Sequence, residues 1–126
     1  MNKKIQNANP AIECENSLSA VEDSLFVLGG KWKLKIIIVL ISGHTRFNEI
    51  QRRLNGISAT VLSSELKSLE MNLLVKRVVH PEQTPVIVEY VPTAYAESLK
   101  EVVTILARWG VNHKRVITQD SKTIIK

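Results

Sequence analysis

Five side chains between positions 58 and 67 could read DNA by hydrogen bonding. Ser58, Thr60, Ser63 and Ser64 bring small hydroxyls, and Lys67 brings an ammonium. They stand beside or opposite Leu62, Leu66 and Leu69, which recur at the spacing of one apolar helical stripe. A helix with such a polar face can enter a major groove, where hydroxyls and amines meet the donor and acceptor edges of bases. Arg46, Arg52, Lys76, Arg77, His80 and Gln83 lie before and after this segment. Their chemistry suits phosphate contacts, and those near a hairpin loop suit the minor groove.

Charge is distributed to match. From Lys31 to His80 there are nine lysines and arginines against three glutamates, whereas the whole chain carries +5. The remainder is therefore slightly acidic. A basic middle segment is what binding to a polyanion requires. The alternative reading of each residue is a solvated surface. Arg53, for example, could pair with Glu49 one helical turn away.

Catalytic chemistry finds little support. His44, His80 and His113 are widely spaced, and Asp23 and Asp120 are the only aspartates. No metal-ligand spacing, glycine-rich phosphate loop, nucleophile elbow or paired-acid motif occurs. The expectation is no catalytic residue, no metal and no cofactor. Cys14 is the single cysteine, so no disulfide can form within the chain. That fits a reducing compartment. Glu13 and Glu15 place negative charge beside the thiol, the reverse of an activated nucleophile's surroundings. The longest apolar run, Ile36 to Ile41, is six residues, against the ~20 that span a bilayer. With no apolar run after Lys3 and Lys4, no signal peptide is expected. The protein is expected in the cytoplasm, without a membrane partner.

The elements that position these groups follow from local signals. At 126 residues the chain fits one domain. Residues 1–16 are polar and read as a mobile arm. Ser19-Ala-Val-Glu22 reads as a capping box opening a helix that Gly29-Gly30 ends. Lys31 to Ser42 reads as a central buried helix, with Trp32, Ile36, Val39 and Leu40 on one face. His44 to Phe47 is a short extended link. Asn48 is read as the cap of a helix to Leu54, with Gln51 as reciprocal partner, and Asn55-Gly56 as a turn. Ser58 caps a helix to about Met71, and Asn72 takes the left-handed exit. Leu74–His80 and Val86–Val91 are rich in β-branched residues and read as strands. Pro81 to Pro85 joins them as a wing. Thr93 caps a last long helix, and residues 119–126 read as a flexible tail. The domain is thus placed at 17–118. The fold class is mainly α with a small β-hairpin, a winged helix-turn-helix.

The segments Gly29-Gly-Lys-Trp-Lys33, Arg46-Phe-Asn-Glu-Ile-Gln-Arg-Arg-Leu-Asn-Gly-Ile-Ser58, Val61-Leu-Ser-Ser-Glu-Leu-Lys-Ser-Leu-Glu70 and Val88-Glu-Tyr-Val-Pro-Thr93 occur in that order. Together they resemble the signature segments of the HxlR-type winged helix-turn-helix transcription regulators, over roughly Ser19 to His113. The resemblance implies a sequence-specific regulator that binds double-stranded DNA as a homodimer. Its recognition helix would be about 58–71 and its wing about 80–86. The dimer contact is expected from Val21, Leu25 and Leu28 at one end, and from Leu99, Val103, Leu106 and Trp109 at the other. The chain departs from the family at a few positions. The family's usual cysteine falls at Ser19, five residues after Cys14, so redox sensing at Cys14 is the minor reading. Leu73 stands where the family often has glycine. A protein-interaction module of the same fold, without operator binding, is the alternative.

Overall fold

The computed structural model describes the backbone of residues 10–125 and the side chains of 13–120. Five α-helices and one hairpin follow in order: α1 Pro10–Leu28, α2 Lys33–Ile41, α3 Phe47–Arg53, α4 Ala59–Met71, β1 Val75–His80, β2 Ile87–Pro92, a 3-10 turn Tyr95–Ser98, and α5 Leu99–Ile125. This is a winged helix-turn-helix, mainly α with a small sheet.

The first helix begins earlier than expected. Residues 10–16 are helical, and Ser19 lies inside α1 instead of capping it. Pro10 supplies the reason: its fixed φ suits the first helical position, where no amide hydrogen is needed. Glu13 in the first turn adds a favourable charge. Residues 1–9 of the expected arm lie outside the described residues. At the other end α5 continues to Ile125, so 119–125 are helical rather than a tail. Glycine is required where α1 ends. A Cβ on Gly29 would run into the Leu25 carbonyl oxygen, and Gly30 has a φ of 91°.

Helix α3 is capped by Arg46 in extended conformation, not by Asn48. Gln51 does not reach back to close a box. Its Nε2 donates to the Ile57 carbonyl at 3.2 Å and ties down the turn before α4. Ser58 does cap α4, its hydroxyl accepting the Val61 amide at 3.1 Å. The left-handed exit falls one residue later than expected. Asn72 has φ −93°, while Leu73 has φ +67°. Leucine in this region crowds its Cβ against backbone, and the side chain is 69% exposed, so it contributes little packing. Leu73→Gly should therefore raise stability by about 0.5–1 kcal/mol, net of glycine's freer unfolded chain. Urea titration of both proteins checks this, and an unchanged or lower midpoint would refute it.

Strands β1 and β2 pair antiparallel from Val75↔Pro92 to His80↔Ile87. The link at 44–46 does not form a third strand. It contributes one backbone bond, from the Tyr90 amide to the Thr45 carbonyl, at 2.8 Å. The Thr93 hydroxyl accepts the Ala96 amide and donates to the Leu73 carbonyl. It thus caps the 3-10 turn, rather than α5 itself, and clips that turn to the exit of α4.

The core is built from α2 through the start of α5. Ile36, Ile37 and Leu40 meet Ile50, Leu54, Ile57, Leu62, Leu66, Leu69, Leu74, Val75, Ala96 and Leu99. Two of the expected dimer residues therefore change role. Leu99 is only 9% exposed and belongs to this core, and Leu28 is partly buried and packs against it. Val103 is half-buried. The reason is position along the helix: only the start of α5 reaches the core. Leu106 and Ile117 lie on the same side of the helix as Leu99, yet they are exposed, as are Val102, Ile105, Trp109 and Val116. On α1, Leu18, Val21, Leu25 and Phe26 are likewise exposed.

Candidate nucleic-acid interface

Helix α4 is seated by Leu62, Leu66 and Leu69, all essentially inaccessible. An ion pair between Lys33 and Glu65, at 2.6 Å and largely shielded on both sides, ties it to the start of α2. With one face held inward, helical geometry turns the residues opposite outward. Thr60, Ser63, Ser64 and Lys67 are exposed, as is the capping Ser58. Thr60, Ser63, Ser64 and Lys67 line one shallow open groove together with Ala59 and Phe47. Four of the side chains expected to read bases thus share one surface.

Arg52 lies in a neighbouring concavity with Asn48, Gln51, Asn55 and Gly56. Arg46 is exposed at the start of α3. The glutamate of that helix is not held by Arg53. Glu49 instead accepts a hydrogen bond from His44 Nδ1 at 2.8 Å. That bond, with the attraction of His44 and a smaller one from Arg53, holds the Glu49 carboxyl below the usual range.

On the hairpin, Lys76 and Arg77 are both exposed. As successive strand residues they point to opposite faces, so they do not form the single patch that their adjacency suggests. Gln83 is exposed in the loop. His80 was expected to face DNA, but its ring is engaged within the protein. Nε2 donates to Glu89 Oε1 at 2.8 Å, and Nδ1 lies 3.8 Å from Glu82. The second Glu89 oxygen accepts the Thr45 hydroxyl at 2.6 Å. The bond from Thr45, then that from His80, holds the Glu89 carboxyl below the ordinary glutamate range.

Sequence reasoning missed Thr45 and Glu89. The available signal was a lone carboxylate in a strand of β-branched residues, paired across the hairpin with Val78. Trp32 behaves as expected of a packing residue, half-buried against the core. Lys31 and Lys35 both lie over its ring, at 4.9 and 5.2 Å. Cys14 is exposed on α1. Among the described residues no three His, Cys, Asp or Glu are grouped to hold a metal ion, and no helix is long and apolar enough to cross a membrane.

Comparison with known proteins places this geometry. The family model of HxlR-like helix-turn-helix proteins matches residues 27–118. The uncharacterized HTH-type transcriptional regulator YtcD of Bacillus subtilis strain 168 is 34% identical over 107 residues, 85% of this chain and 84% of that protein. A crystal structure of a putative HTH-type transcriptional regulator ytcD superposes with a TM-score of 0.70 at 37% identity, covering 75% of this chain and 96% of that one. The redox regulator HypR in its reduced form gives a TM-score of 0.73 at 35% identity, over 79% of this chain and 98% of that one. By the family match over residues 27–118 and by these relatives, the chain belongs to the HxlR-like helix-turn-helix family and is a DNA-binding transcription regulator.

Proposed function

We propose that the protein binds a specific operator as a homodimer, with α4 in the major groove and the 81–86 loop on the flanking backbone or minor groove. The observation that carries this reading is the exposed row Thr60, Ser63, Ser64 and Lys67 on a helix whose other face is locked into the core. Small hydroxyls let such a helix approach base edges closely, and Lys67 adds a donor that suits guanine. Arg46, Arg52 and Arg77 supply phosphate contacts, which fix register without reading sequence. Two copies joined by their terminal helices would meet half-sites about one helical turn, ~34 Å, apart. The exposed apolar rows of α1 and α5 support that pairing. In this reading the protein is a cytoplasmic regulator and not an enzyme.

Selection from a random DNA library, followed by salt titration of the selected site, tests the proposal. Wild type should enrich a two-fold symmetric sequence and lose affinity steeply as salt rises. Ser63→Ala and Lys67→Ala should change the enriched bases. Arg77→Ala should weaken all sequences alike and flatten the logarithmic salt slope by about one unit. Unaltered preference in both the Ser63 and Lys67 variants would remove these residues from base readout. Salt-independent association would favour a protein-interaction module instead.

A further inference from the structure

Glu89 is a carboxylate placed among groups that serve a polyanion, and both of its oxygens are occupied. Oε2 accepts the Thr45 hydroxyl at 2.6 Å and Oε1 accepts His80 Nε2–H at 2.8 Å. Thr45 stands in the link before α3, next to Arg46, and 44 residues from Glu89 in sequence. His80 ends β1, where the wing loop begins. The backbone bond from Tyr90 to Thr45 runs beside this bridge. One side chain therefore joins the segment that carries Arg46 to the base of the wing. On electrostatics alone its charge is unfavourable, since a carboxylate near a phosphate-binding surface repels DNA. Its geometry offers a compensating role. An ionised carboxylate accepts two charge-assisted hydrogen bonds at once, from donors on two different elements. An alanine offers neither, and a glutamine has a single acceptor oxygen.

We propose that Glu89 is a positioning residue for DNA binding: by holding Thr45 and His80 together, it fixes the wing against the Arg46 segment without touching DNA itself. The proposal rests on the DNA-binding reading above and adds to it the element that sets the wing's angle. His80 then acts as part of the hinge rather than as a DNA ligand. Held in this way, the wing and Arg46 meet the backbone at a fixed spacing, and the freedom that a two-stranded ribbon would have to give up on binding is removed beforehand.

The test uses the full chain and the DNA site that wild type selects from a random library, with hydroxyl-radical footprinting and affinity measured together. Repulsion and positioning predict opposite signs. Glu89→Ala should weaken binding about tenfold, although it removes a negative charge. Its footprint should lose protection at the flanks and keep it over the bases met by α4. Thr45→Val, which leaves every charge in place, should act in the same direction. The double variant should bind no worse than the weaker single one, because both break one bridge. Glu89→Ala binding as tightly as wild type, or more tightly, overturns the proposal. So does a uniform loss of protection, which marks general destabilisation, and so does an additive double variant. A wild type that selects no sequence overturns the DNA-binding reading as well, before any variant is compared.

Discussion

Leu106→Glu should yield a monomer at micromolar concentration and weaken operator binding by about a hundredfold or more. Leu106 is 51% exposed in the isolated chain, in a row with Val102, Ile105, Trp109, Val116 and Ile117. Trp109, at 65% exposure, stacks on His113 at 4.8 Å between ring centroids. A contiguous apolar face of this length along α5 is unfavourable in water and is the mark of a protein contact. In a two-fold dimer the substitution appears twice, each time bringing a carboxylate to an apolar contact, at a cost of several kcal/mol unless it finds a partner. Separated subunits reach only one half-site each, and the affinity gained by linking two binding modules, about 10²–10⁴-fold, is lost. The monomer should stay folded, because Leu106 lies outside the buried cluster. Sedimentation, circular dichroism and DNA titration on the same samples check the three parts. A wild type that sediments as a monomer, or a variant that remains dimeric, would sink the prediction. The substitution separates the start of α5 from the rest of the helix: the same exchange at Leu99 would strike the core.

Leu66→Ala should cost 2–5 kcal/mol of folding stability. The side chain is 1% exposed and packs in the cluster that seats α4. Removing three carbons there forfeits burial energy and leaves a cavity that the surrounding helices fill only in part. Against a typical total of about 5–15 kcal/mol this is a large fraction. A fall in melting temperature on the order of 10 °C or more follows for a domain of this size. DNA binding should fall with it, since the exposed row of α4 is placed only by its buried row. Thermal melts must be compared at one protomer concentration, because the proposed dimerisation would make the midpoint concentration-dependent. Met71→Ala, on the same helix but 74% exposed, should shift the midpoint little. A Leu66→Ala effect below about 1 kcal/mol would mean that α4 is not anchored as its burial implies.

The parts of this protein legible in the sequence are those written in local periodicity and turn chemistry. The Ser58 cap, the Leu62/Leu66/Leu69 stripe and the hydroxyl row opposite it need only helical geometry within one segment. The two strands of the wing are legible for the same reason, from β-branched runs bounded by prolines. Misplaced starts, at Ser19 for α1 and Asn48 for α3, reflect capping patterns that also occur inside helices, in the second case two residues past the true cap Arg46. The cap that forms is decided by which backbone hydrogen bonds the rest of the fold leaves open.

Local pattern and composition settle the set of elements, the basic character of the middle segment and the chemistry of the exposed face of α4. Packing between elements decides how they share their surfaces. Periodicity says that α5 has an apolar face, but not that Leu99 meets the core while Leu106, on the same side, meets solvent. Adjacency in sequence groups Lys76 with Arg77, while the strand sends them to opposite sides. His80 resembles a DNA ligand until Glu89 and Thr45 arrive beside it. The physical reason is common to all three cases: a local pattern fixes the angle between residues of one element. The environment each angle meets is set by packing against elements distant in the chain.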